Sequence, residues 1–266
     1  MRMCSIASGS SGNCIYVGSD TTHLLIDVGI SGKRIESGLN TLDLCGRDLD
    51  GILITHEHSD HIAGLGVIAR KYGVPIYASK GTIAAMKETP GLGNIDDELF
   101  VEVEADKKKM IKDLTIYPMY ISHDAKEPLA YRIGYGNRKV AVCTDLGVYN
   151  DYTVECLKGM DAVLIEANHD VKMLQVGPYP YYLKQRILGN KGHLSNENSG
   201  RLLSRILHER LKTIYLGHLS KENNLPELAY EAVRMEITMG DNPYNANDFN
   251  IQVAKRQEVS GVVNIP

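Results

Sequence analysis

Short apolar runs along this chain keep ending on a histidine or a carboxylate. Leu24-Leu25-Ile26 runs into Asp27, Ile52-Leu53-Ile54-Thr55 into His56, Tyr120-Ile121-Ser122 into His123, Val140-Ala141-Val142-Cys143-Thr144 into Asp145, and Ile214-Tyr215-Leu216-Gly217 into His218. Apolar runs rich in β-branched residues read as strands buried on both faces, the pattern of a sheet covered by helices. Further strands are expected over 14–18, 23–28, 161–167 and 251–254. The stretch 99–145 is strand-rich, with a hairpin-like turn marked by 107–109 and Asp113. Apolar spacing and end signals predict helices over 33–44, 60–72, 82–88, 196–211 and 226–235, with Pro90 stopping the third. Asp60 opens the second of these, where a carboxylate suits the positive end of the helix dipole. Gly91, Gly93 and Asn94 mark a loop, as does the polar stretch 242–248. The order gives two β-α halves with no low-complexity linker, so 1–266 is read as a single α/β domain.

Composition changes this picture little. A chain of 266 residues, 43% hydrophobic, can bury a full core without dividing. The five cysteines, Cys4, Cys14, Cys45, Cys143 and Cys156, are odd in number and scattered, which fits a reducing compartment better than a disulfide framework. No basic-then-apolar leader opens the chain, and no apolar run nears the ~20 residues of a membrane span. A soluble, cytoplasmic protein with no membrane partner is the expectation. The formal charge of −4 supplies no global basic field of the kind a DNA-coating protein carries.

Chemistry is concentrated in Thr55-His56-Glu57-His58-Ser59-Asp60-His61, which puts three histidines and Asp60 into six positions after an apolar strand. Imidazoles and a carboxylate suit Zn²⁺ or Mn²⁺, and Fe²⁺ as well. The spacing is too tight for one ion to take all four, so two divalent ions are expected. His56 and His58 can face one, while Asp60 and His61 reach the other. A closed structural zinc site would bring paired cysteines, and there are none. If the strand ends align along one edge, Asp27, His56, His58, Asp60, His61, His123, Asp145 and His218 converge. Two ions ~3.5–4 Å apart can lower the pKa of a bridging water and present hydroxide to an electrophilic phosphorus, with no side-chain nucleophile. Asp60 is a candidate for orienting that hydroxide. The ions would also make the cleft locally positive in an acidic chain.

Other features carry two readings. Residues 176–192 depart from sheet grammar and bring Tyr179, Tyr181 and Tyr182 beside Pro178 and Pro180, then Lys184, Arg186 and Lys191. Rings beside cations suit bases to stack and phosphates to neutralise, but an ordinary helix with a solvated basic face has the same composition. Lys80, Arg201 and Arg205 join these cations as candidate phosphate contacts. Ser8 to Asn13 is either an amide-rich turn that cradles an anion or a plain hairpin opening; lacking a following Lys and helix, it is not a P-loop. His23 and His208 are assigned structural roles. His169 either lines the cleft or caps a loop.

The H-x-H-x-D-H string, with Asp27 before it and His123, Asp145 and His218 after it, resembles the five motifs of the metallo-β-lactamase superfamily. That resemblance implies a four-layer αββα sandwich. It implies that His56, His58 and His123 hold the first metal, that Asp60, His61 and His218 hold the second, and that Asp145 bridges them, with Asp27 orienting the ligand loop. The tRNA-processing branch implies that His193 is a proton donor, held or tuned by Glu166. Residues 7–14, 166–170, 192–196 and 217–220, with Asn223 and Asn224, are similar to the YycJ/WalJ-type bacterial DNA exonucleases. The resemblance therefore implies a dinuclear phosphodiesterase acting on DNA ends, 5′ to 3′, with DNA as partner. A small-molecule hydrolase of cyclic phosphodiesters, thioesters or lactams is the alternative. A non-catalytic scaffold is disfavoured by the intact ligand set. No oligomeric state follows from these residues.

Overall fold

The computed structural model describes residues 1–266. It contains two compact units. The first comprises Met1–Tyr120, Ala125–Arg138 and Lys255–Pro266, the second Ile121–Asp124 and Lys139–Ala254. The strands in chain order are β1 (Arg2–Ala7), β2 (Cys14–Gly18), β3 (His23–Ile26), β4 (Gly51–Leu53), β5 (Ile76–Ala78), β6 (Phe100–Glu102), β7 (Lys109–Ile111), β8 (Leu114–Tyr120), β9 (Leu129–Tyr135), β10 (Arg138–Cys143), β11 (Ala162–Glu166), β12 (Thr213–Gly217), β13 (Asn250–Val253) and β14 (Val263–Asn264). The helices are α1 (Gly32–Asn40), α2 (Ser59–Ile62), α3 (Leu65–Tyr72), α4 (Lys80–Lys87), α5 (Asp151–Leu157), α6 (Val171–Val176), α7 (Tyr181–Leu188), α8 (Asn196–Ser204) and α9 (Pro226–Met239). No helix is long and apolar enough to cross a membrane.

In the first unit, a mixed sheet runs β14-β1-β2-β3-β4-β5-β6. Its β1-β2-β3 part is antiparallel and its β3-β4-β5-β6 part parallel. Strands β2 to β4 are buried almost throughout because their sequences are apolar on both faces. Ile35, Leu39, Ile62, Leu65 and Ile68 of the helices close over Ile6, Tyr16, Leu25 and Ile54 to form the core. Strands β7, β8 and β9 make an antiparallel meander in the same unit.

In the second unit, β10-β11-β12-β13 is wholly parallel, and the register sets Cys143 beside Ile165, Ile165 beside Leu216, and Glu166 beside Gly217. The carboxyl ends of the three central strands therefore lie level at one edge, where ligands of open parallel sheets bind.

Several boundaries differ from the sequence expectation. The helix expected over 60–72 is two, α2 and α3, because the chain at Gly64 presses against the loop after β3. Its amide donates to the Val28 carbonyl at 2.8 Å, and an added Cβ would lie 2.2 Å from the Ile30 carbonyl oxygen. Helix α8 stops at Ser204, seven residues before its expected end at 211, and α9 runs on to Met239. The meander turns at Lys112 and Asp113, with Lys112 at φ 48°, and not at 107–109. Strand β1 and helix α5 were not expected from the pattern.

Candidate metal centre

Each unit carries a set of metal-type side chains at the ends of its parallel strands. In the first, Asp27 follows β3 directly, and its amide donates to the Leu53 carbonyl of β4 at 2.9 Å. The Asp27 carboxylate then accepts from the Thr55 amide at 2.8 Å, from the Thr55 hydroxyl at 2.9 Å, and from His61 Nδ1 at 2.7 Å. His56 Nδ1 lies 3.0 Å from the Thr55 hydroxyl, whose proton goes to Asp27, so His56 donates there. Both rings are thereby fixed with Nε2 as the ligand atom, a tautomer inferred from this network. Asp27 and Thr55, one directly and one through a hydroxyl, orient two imidazoles from a fully buried position.

His56 Nε2 and His58 Nδ1 lie 3.0 Å apart. That separation is near the ~3.3 Å between two ligands of one tetrahedral ion with Zn–N bonds of about 2.05 Å. His61 Nε2 lies 3.5 Å from Asp60 Oδ2. The donor chemistry of this set fits a divalent cation: neutral imidazoles with locked tautomers and an adjoining hard oxygen.

The Ser8–Asn13 turn packs under this loop. The Asn13 amide donates to the Asp60 carbonyl at 2.8 Å, and its side-chain Nδ2 lies 3.3 Å from His61 Nε2. Asn13 Oδ1 in turn accepts from the Gly9 amide at 3.0 Å and the Ser8 hydroxyl at 3.2 Å. The turn therefore spends its polar groups on buttressing the ligand loop. Gly29 completes the packing: a Cβ there would sit 1.7 Å from the Asp60 carbonyl oxygen.

In the second unit, Asp145, Glu166, His193 and His218 present donor atoms all within 4.8 Å of one another. Glu166 is the hub. Its Oε1 accepts from His193 Nδ1 at 2.7 Å and from His218 Nδ1 at 2.9 Å, while Oε2 accepts from the Leu146 amide at 2.8 Å and the Leu194 amide at 3.2 Å. His218 Nε2 is thus turned toward Asp145, 3.4 Å from its Oδ1. His123 donates Nδ1 to the Gly192 carbonyl at 3.1 Å and brings Nε2 within 3.7 Å of the same Asp145 oxygen. Two buried imidazole nitrogens facing one carboxylate oxygen again fit a cation.

Burial alone would raise the Glu166 carboxyl, but the adjacent His193 and His218 rings outweigh it and hold it down at about 2. For His193, burial works against the charged form, yet Glu166 prevails and raises its pKa above the usual histidine range. The result is a partly exposed imidazole biased toward its protonated form at the end of a ligand set, suited to giving a proton to a leaving oxygen.

Asp27, Asp145 and His218 share a backbone feature: φ values of 58°, 58° and 55° place all three in the left-handed region, Asp27 and His218 directly after β3 and β12 and Asp145 one residue further from the end of β10. Strain of this kind persists where surrounding contacts enforce it, and it gathers at functional sites. Sequence reasoning did not find Thr55 or Asn13 as supports, nor Asn168, whose Nδ2 donates to the His218 carbonyl at 3.0 Å. Single hydroxyls and amides leave no spacing signature. His169 is buried, with Nε2 unbonded, and burial lowers its pKa to about 4. It does not line an open surface. His23 bonds the Tyr16 hydroxyl at 2.8 Å, and His208 lies in the loop after α8. Arg201 and Arg205 are engaged by Glu236 and Asp151, at 3.2 and 2.7 Å.

Comparison with known proteins agrees with this chemistry. The model of the Beta-lactamase superfamily domain matches residues 22–215. The exodeoxyribonuclease WalJ of Streptococcus pneumoniae serotype 2 is 45% identical over 236 residues, 89% of this chain and 88% of that protein. The exodeoxyribonuclease YycJ of Bacillus anthracis is 44% identical over 229 residues, 86% of each. Among solved structures, PqqB from Methylobacterium extorquens superposes with a TM-score of 0.71 over 99% of this chain and 100% of that one. At 14% identity it shows the fold alone.

Proposed function

The chain belongs to the metallo-β-lactamase superfamily, and from that premise we propose that it is a dinuclear metal-dependent phosphodiesterase that removes nucleotides from DNA ends, 5′ to 3′. The observation that carries the reading is the 44–45% identity to two exodeoxyribonucleases over 86–89% of the chain, together with the clustered His and Asp donors. The ligand assignment rests on the superfamily pattern: His56, His58 and His123 for one ion, Asp60, His61 and His218 for the other, Asp145 shared. Residues 1–266 are then read as one domain. Zn²⁺, Mn²⁺ and Fe²⁺ all suit such donors, and supply selects among them. A cytoplasmic location accompanies the reading and agrees with the five unbridged cysteines.

When bound, the ions supply an activated water and offset charge on the phosphate oxygens. The protein's own groups do the remainder. Asp27 and Thr55 hold His56 and His61 in one tautomer and orientation, which would present both Nε2 atoms to the ions. Asp60, in the first turn of α2, lies beside His61, and in this reading it orients the attacking oxygen. His193 carries the proton for the departing sugar oxygen, and Glu166 favours its charged form and aims it. Removing that donor is expected to slow the reaction by about 10²–10⁴-fold.

The test pairs end-labelled DNA with bis-p-nitrophenyl phosphate, using protein reloaded separately with Mn²⁺ and Zn²⁺ and Asp145→Asn as control. Mononucleotide release from the 5′ end by wild type alone is the expected result. Turnover of the small ester with DNA left intact would transfer the protein to the small-molecule hydrolases.

A further inference from the structure

From Val171 to Asn196 the chain contains Lys172, Lys184, Arg186 and Lys191 and not one Asp or Glu. The rest of the molecule sets 25 Lys and Arg against 33 Asp and Glu, so this segment is a positive island on an acidic protein. It also carries three of the four most exposed large hydrophobic side chains of the second unit: Val176 is 86% exposed, Tyr181 76% and Tyr182 75%. Packing gives no reason to hold two adjacent tyrosines in water at the start of a helix.

The segment is not loose. Pro178 and Pro180 fix φ on either side of Tyr179, and Lys184 Nζ donates to the Gln175 carbonyl at 2.7 Å, tying α7 to the end of α6. On α7, Ile187 is buried, while Tyr182 and Arg186 fall one turn apart on the outer side. Arg186 pairs with Asp124, whose neighbour His123 is a proposed ligand. The Ser122 hydroxyl donates to the Asn190 carbonyl at 2.9 Å, and the His193 amide donates to the Ile187 carbonyl at 3.0 Å. One end of α7 is therefore fastened to the loops that deliver His123 and His193, and the other end offers the tyrosines. Six residues of helix separate Tyr181 from Ile187, about 9 Å along the axis.

We propose that the outer face of α7, through Tyr181 and Tyr182 with Arg186 and Lys191 after them in the chain, is a stacking platform for unpaired bases of the DNA strand entering the site. The inference rests on the exonuclease reading and adds how the substrate is held: through unpaired bases at the end of the strand, with little regard to sequence. Aromatic faces accept any base, and cations beside them take the phosphates.

The chain has no tryptophan, so Tyr181→Trp installs a sole fluorescent reporter on the platform. Metal-loaded protein is titrated with a phosphorothioate oligothymidylate, which resists cleavage, and each variant is also assayed on bis-p-nitrophenyl phosphate. The expected result is that binding quenches the emission of the Tyr181→Trp variant, and that affinity weakens about tenfold or more in Tyr181→Ala/Tyr182→Ala. Tyr181→Phe/Tyr182→Phe keeps wild-type affinity, and small-ester turnover is unchanged in both pairs. Unquenched emission with wild-type affinity in the alanine pair overturns the proposal. So does wild-type oligothymidylate affinity combined with a shift in size-exclusion elution, because the tyrosines then cover a second copy of the chain. Failure of the exonuclease reading itself is visible separately, as wild-type protein that turns over the ester but neither binds nor trims DNA.

Discussion

Asp27 holds His61 directly and His56 through Thr55, and it does so from the left-handed region at φ 58°. Asparagine tolerates that backbone well, so Asp27→Asn changes the carboxylate and little else. Metal content after dialysis should report a loss of affinity of about 10–100-fold, with the fold intact by circular dichroism. At Glu166 the corresponding change reads out in pH. Glu166 raises the His193 pKa, and a proton donor works only below its pKa. Glu166→Gln should move the alkaline limb of the rate profile to lower pH, whereas a purely structural role would lower the rate at every pH alike. His169 supplies a stability prediction. Its pKa falls from the ordinary 6.5 to about 4 on burial, so the unfolded chain binds the extra proton between those values. The associated stability, of order 2–3 kcal/mol, is complete above pH ~6.5 and is lost as the pH falls toward ~4. Urea midpoints should fall more steeply from pH ~6.5 to ~4 in wild type than in His169→Gln, which has no group to protonate there.

At the scale of elements, strand ends do most of the positioning. Among the proposed ligands, His56, His123, Asp145 and His218 stand out in sequence because each closes an apolar run, and a strand that ends on a polar residue announces its edge; His58, Asp60 and His61 stand out by their spacing. Helix limits were less legible, since α2 and α3 look continuous in periodicity and are parted only by the tertiary contact at Gly64. Nor does periodicity explain why α8 ends at Ser204. The three left-handed residues were invisible too, because Asp and His tolerate that region without requiring it. The close approach at Gly29 is an element-level constraint that can be tested: Gly29→Ala forces the Asp60 carbonyl to move. The α2 loop should then lose metal first, seen as reduced metal content at a melting temperature lowered by several degrees.

For the molecule as a whole, charge and chemistry are partitioned. An acidic chain keeps cation-bearing, acid-free stretches, and one of them, 171–196, contains His193. Composition alone argued mildly against a nucleic-acid enzyme, because a net charge averages over such islands. The superfamily was legible from its motifs, while the hub role of Glu166 for two imidazoles emerged only from coordinates.

The central claim is a two-metal nuclease, and titrating metal-free protein with Mn²⁺ while following mononucleotide release from 5′-labelled DNA tests it most directly. Activity should be absent without metal, climb until two equivalents are bound, and vanish in Asp145→Asn. Nucleotide release that survives chelation, or that reaches its plateau at one equivalent, would contradict the account.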